Sequence, residues 1–294
     1  KCIRGDSLVV TDKGLIEIQD IPNHYTLEGD SLEAKVVSYS TEGKKYINKT
    51  SNWYNMGLNK TLQIETDSGS FIEGTYEHPL LTMCDNGELT YKKLSELKVG
   101  DYIAISKKGF WTNQQLVSEE ESYMMGLLVA DGYLASNSGE ITFSNSNNDI
   151  IKYYKETAKN IWGIDHIYST KCENNSGLDH KFWNVKLKRA LEKKGLKMVH
   201  SKFKEVPFTI LQSNKKVVKR FIQAMFDTEA SFNNATLELT TASEKLAFQL
   251  KTLLMNFGIR AHKGNKKVKN YEHNSYYRLS ITGNALKTFH KEIG

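Results

Sequence analysis

The amino-acid sequence predicts two domains, an all-β domain over residues 1–110 and an α+β domain over residues 111–294 with two pseudo-symmetric repeats. The first part contains many short stretches in which apolar and polar residues alternate, a pattern typical of strands in hairpins. The second part contains two similar helical stretches whose acidic ends, Asp131 and Glu229, lie 98 positions apart. The charge also changes sign, with 13 Lys and Arg against 16 Asp and Glu in the first part and 27 against 18 in the second.

Composition narrows the class of protein. A length of 294 residues fits roughly two domains of ~150 residues each. No run of about 18 apolar residues is present, so we expect neither a membrane span nor a membrane partner. The cysteines Cys2, Cys84 and Cys172 form no CxxC pair. This favours a reducing, cytoplasmic location over a disulfide framework or a zinc site. The basic second part has the charge expected of a nucleic-acid binder, with access to the nucleoid or nucleus.

The strands of the first domain are predicted from this alternation and from the turns between them. Asp-Lys-Gly and Asp-Ser-Gly sequences mark two of the turns. The predicted strands cover residues 8–11, 14–18, 34–39, 61–65, 70–73 and 101–105.

One stretch of the first domain carries chemically active residues. Thr75 and His78 lie three positions apart, directly after a predicted strand and ahead of Pro79. A histidine there can protonate a departing amide nitrogen, and a threonine hydroxyl can orient it. A histidine that makes one structural hydrogen bond in a turn is the alternative. Cys2 adds a thiol, which is the best side-chain nucleophile near neutral pH.

Three segments in order, residues 2–11, 74–80 and 97–102, resemble the N-terminal blocks of inteins, whose Hint fold is shared with hedgehog autoprocessing domains. The resemblance covers about residues 2–108. It implies that Cys2 attacks the carbonyl of Lys1, which would be the last residue of a flanking host protein, the extein. It also implies that His78 protonates the departing nitrogen while Thr75 holds the strained peptide. The resemblance implies no cofactor for this step.

The end of the chain bears on the same resemblance. An intein closes with a His-Asn pair, whereas this sequence ends Phe289-His-Lys-Glu-Ile-Gly294. We therefore expect Cys2 to begin splicing and a C-terminal intein segment to be needed as a complementary chain. A truncated intein is the alternative to a split or cleaved one.

The second domain is predicted to contain the order helix, hairpin, helix, hairpin, helix twice, over about residues 113–200 and 201–294. Ser118 and Glu121 form a capping-box sequence at the start of the first helix. Each motif helix also carries two small residues four positions apart on one face, where two helices can approach closely. These residues are Gly126 and Ala130 in one helix and Ala224 and Thr228 in the other.

Residues 124–132 and 222–230 resemble the two LAGLIDADG motifs of homing endonucleases, and the resemblance covers about residues 113–294. It implies that the eighth motif residues, Asp131 and Glu229, are the catalytic acids and the metal ligands. A divalent cation, usually Mg²⁺, would join acid and phosphate, and carboxylates suit such a hard cation. The implied partner is double-stranded DNA with a long recognition site. An acid at a helix C-terminus opposes the helix dipole, so two of them at equivalent positions favour a functional role over a structural one.

The second motif departs from the family pattern. Glu229 replaces an Asp, and Ala230 replaces the closing Gly. The longer side chain moves the carboxylate by about 1.5 Å, and small misplacements are costly in catalysis, so reduced, unequal or absent cleavage of one strand stays open. Asp227, the sixth motif residue, is a rival acid roughly 200° round the helix.

Lys204, just ahead of a Val-Pro pair, matches a family position near the active site, where it would polarise a phosphate or a water. An ordinary surface lysine is the alternative.

The strands and hairpin tips of the repeats are the predicted DNA-contacting segments, residues 140–147, 171–188, 236–243 and 263–278. A two-stranded ribbon fits the major groove, and lysines contact phosphates more than they read bases. The basic run after residue 262 is equally compatible with a loop. The candidate DNA-binding residues are Lys186, Lys188, Lys263, Lys266, Lys267, Lys269 and Arg278.

Three functions are compatible with these residues. The first is an intein with an embedded site-specific endonuclease, in which Cys2 begins protein splicing while Asp131 and Glu229 hydrolyse both DNA strands. The second is a DNA endonuclease whose Hint-like domain no longer splices. The third is a LAGLIDADG-like DNA or RNA binder that has lost cleavage, which Glu229 and Ala230 keep open.

Overall fold

The chain divides into two compact units, unit 1 (Lys1–Thr112) and unit 2 (Asn113–Gly294). The predicted division after residue 110 lies two residues from this boundary. The computed structural model describes residues 1–40, 42–106, 109–135, 138–171, 177–197, 199–267 and 275–294. Within these ranges no helix has both the length and the apolar composition needed to cross a membrane.

Unit 1 is built from short antiparallel strands. The strands are β1 (Leu8–Thr11), β2 (Gly14–Glu17), β3 (Leu27–Glu28), β4 (Ser31–Leu32), β5 (Lys35–Tyr39), β6 (Lys45–Lys49), β7 (Leu62–Glu65), β8 (Phe71–Gly74), β9 (Pro79–Met83), β10 (Leu89–Lys93) and β11 (Tyr102–Ile103). They form a four-stranded sheet in the order β2-β1-β5-β6, a three-stranded sheet in the order β10-β9-β11, and the pairs β3-β4 and β7-β8. Two short 3-10 helices cover Ile18–Asn23 and Leu94–Glu96.

The sheets of unit 1 are small, and part of its core lies under the first of them. Ile16, Leu32 and Ala34 are buried there, and Trp53 packs against them while its indole N–H donates to the Ile18 carbonyl at 3.0 Å. The strand predicted over residues 101–105 is reduced to β11. The Asp101 carboxylate instead accepts from the Lys98 N–H at 3.0 Å and closes the preceding turn. The Hint fold of unit 1 stays a prediction.

Unit 2 contains the predicted order of helices and hairpins twice. The first repeat consists of α1 (Glu119–Asp131), β12 (Gly132–Leu134), β13 (Glu140–Ser144), α2 (Asn148–Trp162), β14 (Tyr168–Lys171), β15 (Leu178–Trp183) and α3 (Val185–Lys193). A short helix, α4 (Phe208–Leu211), precedes the second repeat. That repeat consists of α5 (Lys215–Glu229), β16 (Ala230–Asn233), β17 (Thr236–Thr241), α6 (Glu244–Asn256), β18 (His262–Lys266), β19 (Tyr276–Thr282) and α7 (Gly283–Glu292). The sheets have matching orders, β12-β13-β15-β14 and β16-β17-β19-β18.

Side-chain caps begin both motif helices. The Ser118 hydroxyl accepts from the Glu121 N–H at 3.0 Å, which is one half of the predicted capping box. The Glu121 carboxylate does not close the box but accepts from the Lys194 ammonium at 2.7 Å, so it ties α1 to the end of α3. At the start of α5, the Asn214 side chain accepts from the N–H groups of Lys216 and Val217.

Helices α1 and α5 pack directly on each other at the centre of unit 2. A Cβ built on Gly126 would lie 2.6 Å from the Ala224 Cβ and 2.9 Å from the Phe221 carbonyl oxygen, so only glycine fits there. The Ser122 hydroxyl donates to the Val217 carbonyl at 2.6 Å across the same contact. Residues 122–130 are all buried, so α1 is a central helix covered on every side rather than an amphipathic surface helix.

Candidate functional site

Two acidic residues end the two packed helices. Asp131 is the last residue of α1 and Glu229 is the last residue of α5, and each helix is followed directly by a strand. The pKa of Glu229 is raised from its ordinary value of 4.5 to about 7, mainly by burial and then by the Asp131 carboxylate, while Lys204 opposes the rise. Burial also raises the pKa of Asp131. The helix contact therefore brings two sequence-distant carboxylates into electrostatic contact.

Lys204 lies beside both acids. Its ammonium donates to the Ala130 carbonyl at 2.5 Å, one residue before Asp131. Burial lowers the pKa of Lys204, whereas the carboxylates of Glu229 and Asp131 raise it. The structure thus brings together the three residues that the sequence predicts as an active site.

An open cavity of about 1100 Å³ adjoins Asp131 on one side. Asp227 and Thr228, rather than Glu229, are the α5 residues in its wall. The Asn145 amide donates to Asp131 at 3.5 Å from the loop after β13. The remaining lining residues come from the loop after β13, from α2 and from the open face of the first sheet: Ser144, Ser146, Asn147, Ile150, Thr170, Lys171, Gly177, Asp179 and Lys181.

Asp227, the rival acid, has its own partners. It is exposed, and its carboxylate accepts from the Tyr123 hydroxyl at 2.7 Å. The Arg220 guanidinium lies over the Tyr123 ring at 4.5 Å and donates to the Tyr153 hydroxyl at 2.8 Å. This network ties Asp227 to α1 and α2, whereas Glu229 faces Asp131 and Lys204.

The two helix-end carboxylates suit a divalent cation. Both are oxygen donors, and burial together with mutual repulsion makes their ionised forms costly, a cost that a cation between them would offset. Over the described ranges no cluster of three or more His, Cys, Asp or Glu side chains could hold a metal by itself. Mg²⁺ is commonly held by one or two carboxylates, with waters and substrate phosphates completing its shell, so a pair of acids is a sufficient protein contribution.

Two lysines that the sequence predicts as DNA contacts, Lys188 and Lys263, are buried. The Lys188 ammonium donates to the carbonyls of Ala135 and Ser138, which ties α3 to the β12–β13 connection. Lys263 pairs with Glu244 at 3.2 Å under the second sheet. Strand alternation gives the reason: Lys263 opposes the buried Leu279 and therefore points to the core side.

The other predicted DNA-binding residues have different positions. Lys186 is exposed, but it lies on α3 and not at a hairpin tip. Lys266 and Arg278 lie on the open face of the second sheet, where both pair with Glu238 at 2.7 and 3.4 Å. Lys267 is exposed directly after β18, and Lys269 lies outside the described residues.

Asn145, Asp179 and Glu238 lie within the predicted DNA-contacting segments, but the sequence analysis did not single them out as site residues. Asn145 and Asp179 line the cavity beside Asp131, and Glu238 lies on the open face of the second sheet. Asp179 pairs with Lys181 at 3.3 Å and accepts from the Ser144 hydroxyl at 2.6 Å. For Asp179 and Glu238 the sequence contained a usable signal, the period-two alternation of residues along β15 and β17. This alternation separates side chains that face the core from side chains that face the open side of the sheet.

In unit 1, the structure brings Cys2 and Thr75 together. The Cys2 N–H donates to the Thr75 hydroxyl at 3.0 Å, and the Thr75 N–H donates to the Cys2 carbonyl at 2.9 Å. The His78 N–H donates to the Thr75 carbonyl at 2.8 Å. The His78 Nδ1 is buried without a hydrogen-bond partner among the described residues. Burial, and then the positive charges of Lys1, lower the pKa of His78 below its ordinary value.

Comparison with known proteins identifies part of unit 2. A family model described as a LAGLIDADG-like domain matches residues 216–294, which run from the first turn of α5 to the chain end. The second repeat is therefore similar to a LAGLIDADG-like domain.

Curated relatives match almost the whole chain. The replication factor C small subunit of Methanocaldococcus jannaschii is 27% identical over 100% of this chain and 16% of its own length. The replicative DNA helicase DnaB of Synechocystis sp. is 26% identical over 100% of this chain and 34% of its own length. An A-type ATP synthase sequence from Pyrococcus abyssi is 26% identical over 97% of this chain and 31% of its own length. The chain spans from about a sixth to a third of these relatives.

Two solved structures are similar to part of the chain. A mesophilic variant of the homing endonuclease I-DmoI has a TM-score of 0.45 and 15% identity, over 61% of this chain and 97% of the endonuclease. The DUF199/WhiA protein from Thermatoga maritima has a TM-score of 0.42 and 17% identity, over 60% of this chain and 56% of that protein.

Proposed function

We propose that unit 2 binds double-stranded DNA between its two open sheet faces and hydrolyses it with Asp131, Glu229 and Lys204. The observation that carries this proposal is the convergence of the three side chains at the ends of two packed helices. The family match of the second repeat supports it. For the endonuclease I-DmoI, complexes with target DNA in the presence of Mg and with Ca are known.

The three residues have separable tasks. Asp131 and Glu229 would hold the cation, which when bound supplies Lewis-acid activation of water and neutralises phosphate charge. Lys204, fixed through the Ala130 carbonyl, presents a positive charge beside both acids and stabilises charge on the phosphate in the transition state. Asn145 restrains the Asp131 carboxylate from the cavity side.

A DNA-binding domain that does not cut is the nearest alternative. Glu229 is one methylene longer than Asp131, and the α5 residues in the cavity wall beside Asp131 are Asp227 and Thr228. The two acids end their helices at equivalent positions, but their carboxylates lie at different distances from the helix backbone, whereas a symmetric pair of cleavage sites would require matching distances.

Selection from a pool of randomised DNA duplexes separates these functions. We expect the protein to enrich a long site and to cut it when Mg²⁺ is added. Asp131→Asn and Glu229→Gln should still bind the enriched duplex without cutting both strands, and Asp227→Asn tests the rival acid in parallel. Binding without cutting by the wild-type protein supports the non-cutting alternative, and a failure to enrich any duplex overturns DNA binding.

The geometry of unit 1 favours a second function. We propose that Cys2 carries out an N–S acyl shift: its sulfur attacks the carbonyl carbon of the preceding residue, the C–N bond to Cys2 breaks, and the nitrogen receives a proton. The products are a thioester and the free amine of Cys2. Thr75 holds the departing nitrogen, and His78, whose low pKa leaves it mostly neutral at pH 7, exchanges protons there. The relatives add support, because a segment shared by a replication factor, a DNA helicase and an ATP synthase is simply explained as an inserted, self-removing module.

A tag fused ahead of Lys1 tests this second function. Dithiothreitol should release the tag by attacking the thioester, and Cys2→Ala should prevent the release. Release from the Cys2→Ala protein would contradict the mechanism. No release from the wild-type fusion would favour a unit 1 that no longer splices.

A further inference from the structure

The strands of the two sheets of unit 2 have the same register. In the first repeat Gly132 opposes Phe143, and in the second Ala230 opposes Leu239. Opposed residues of antiparallel strands point to the same side of a sheet. Each open-face position of one repeat therefore has a structurally equivalent position in the other repeat. Face 1 is the open side of the sheet formed by β12, β13, β15 and β14, and face 2 is the open side of the sheet formed by β16, β17, β19 and β18.

Face 1 carries three large aromatic side chains. Tyr133, Tyr168 and Trp183 are 60%, 62% and 56% exposed. Tyr133 and Tyr168 lie in one row, at either side of Thr142 and Lys181. The Tyr168 and Trp183 rings meet edge to face at 5.9 Å. The opposite side of this sheet packs on the core, so these three exposed rings do not contribute to core packing.

Face 2 has no Phe, Tyr or Trp at the three equivalent positions. The register places Ser231 opposite Glu238 where face 1 has Tyr133 opposite Thr142. By the same comparison His262 takes the position of Tyr168, and Thr282 takes the position of Trp183.

The charges of the two faces also differ. Arg278 opposes Thr240 at the position where Asp179 opposes Ser144 on face 1, so the sign of the charge is reversed. Glu238 on face 2 accepts from Lys266 at 2.7 Å and pairs with Arg278 at 3.4 Å. Face 2 therefore presents an acid held between two cations, whereas face 1 presents three aromatic rings beside a single acid–cation pair, Asp179 and Lys181 at 3.3 Å.

We propose that the two faces read two chemically different half-sites, an A·T-rich half on face 1 and a half containing G·C pairs on face 2. This inference rests on the proposed DNA binding. In the major groove the thymine methyl group is the apolar feature, guanine offers two acceptors that fit an arginine, and the cytosine amino group donates to a carboxylate. Tyr168 and Trp183 supply apolar contact, Arg278 supplies the donors and Glu238 supplies the acceptor.

Face 1 is continuous with the candidate active site. Thr170, Asp179 and Lys181 of its open side line the cavity that also contains Asp131. DNA held on this face would therefore reach the acids without a gap, which favours a nucleic-acid occupant over a separate protein partner.

The ion pairs of face 2 have a consequence for specificity. Glu238 partly neutralises Lys266 and Arg278 in the free protein, which weakens their attraction to any phosphate backbone. A cytosine that donates to Glu238 and a guanine that accepts from Arg278 replace these internal contacts, whereas a wrong base leaves them unreplaced. Glu238→Gln should therefore raise affinity for random DNA about tenfold or less and lower the preference for the G·C half.

The test compares base preferences by selection from randomised duplexes. The wild-type protein should enrich a non-palindromic site. The double variant Trp183→Ala/Tyr168→Ala should relax base preference in one half of the site only. Arg278→Ala should relax the G·C preference in the other half. The double variant and Arg278→Ala should each bind the selected site about tenfold more weakly than wild type. Tyr54→Ala in unit 1 is the matched aromatic control, and Lys291→Ala on α7 is the matched charge control.

Four outcomes are distinguishable. If no duplex is enriched, the proposed DNA binding fails and the inference fails with it. If a site is enriched but is palindromic, or if both sets of variants relax the same half, the inference is overturned while DNA binding stands. Enrichment of single-stranded RNA over duplex DNA in a parallel selection would also overturn it. Because all four substituted side chains are on an open face, far-ultraviolet circular dichroism should match wild type, and the milder Trp183→Phe should keep part of the preference.

Discussion

Gly126 and Ala224 face each other across the contact between α1 and α5, and a Cβ on Gly126 would lie only 2.6 Å from the Ala224 Cβ. The absence of a side chain at Gly126 lets the two helices meet almost backbone to backbone. Each helix ends in an acid, Asp131 and Glu229, so the same contact determines how closely the two carboxylates approach. The geometry of the candidate site and the packing of the core therefore depend on one small residue in the middle of α1.

Gly126→Ala should destabilise unit 2 although alanine is the better helix former. Overpacking costs about 1–3 kcal/mol, while helix propensity returns roughly 1 kcal/mol, so we expect a net loss of up to about 2 kcal/mol in urea unfolding. Adding Ala224→Gly should recover part of this loss, because the clash with the Phe221 carbonyl remains. A single variant as stable as wild type would mean that the helices separate freely.

Lys204→Met should slow DNA cleavage without preventing DNA binding. The substitution removes the positive charge beside Asp131 and Glu229 and the donor to the Ala130 carbonyl. We expect a decrease of about 10²-fold in the single-turnover rate, which is typical for the loss of one group that stabilises transition-state charge.

Lys204→Arg is the matched control for charge. It should retain more activity than Lys204→Met, and both variants should bind the selected duplex within a few-fold of wild type. If the Met variant cuts at the wild-type rate, Lys204 is a structural lysine only.

The stability of the metal-free protein should fall as the pH rises from about 5 to 7. Burial, with a contribution from Asp131, raises the pKa of Glu229 to about 7, whereas in the unfolded chain it stays near 4.5. The folded protein therefore binds the extra proton between these values, and its free energy of unfolding decreases as that proton is lost. Glu229→Gln should be more stable than wild type at pH 8 by about 1–3 kcal/mol and similar to it at pH 5.

Urea unfolding in EDTA at pH 5 and pH 8 measures this difference. Asp131 acts in the same direction, so the Gln variant should keep a weaker pH dependence. Mg²⁺ added at pH 8 should stabilise the wild-type protein more than Glu229→Gln, because the cation binds the ionised pair. Identical pH profiles for the two proteins would show that Glu229 ionises freely.

Lys188→Met should reduce stability and leave the salt dependence of DNA affinity unchanged. The buried ammonium serves the carbonyls of Ala135 and Ser138, and leaving such acceptors unsatisfied costs about 1–3 kcal/mol. The exposed Lys193→Met on the same helix should have little effect on unfolding. A decrease of about one in the salt slope for Lys188→Met would restore this lysine as a phosphate contact.

The helices of unit 2 were predictable because their signals are local. Ser118 and Asn214 mark helix starts, and the buried run from Ser122 to Ala130 is continuous in the sequence. Strand 101–105 was overpredicted, because Asp101 uses its carboxylate to close a turn. Half of the predicted capping box does not form, because Glu121 has a charged partner in Lys194, 73 residues away.

The candidate site was predictable in its residues but not in its surroundings. Asp131 and Glu229 were predicted from the resemblance to the LAGLIDADG motifs and Lys204 from its place ahead of a Val-Pro pair, and the structure brings the three together. The burial of Lys188 and Lys263 was not predictable, because a basic residue carries the same charge signal whether its side chain points to solvent or to the core. Only the strand register and the position of α3 separate these two cases.

The sequence by itself determined the order of the elements, the twofold repeat and the acids that end its two motif helices, because these depend on local periodicity and spacing. The tertiary structure alone decided how close the acids lie, which lysines are buried, and that Tyr133 and Tyr168 share one face while Glu238 and Arg278 share another. These properties depend on contacts between residues far apart in the chain. Burial and proximity then change the free energy of a charge, which no residue type specifies alone.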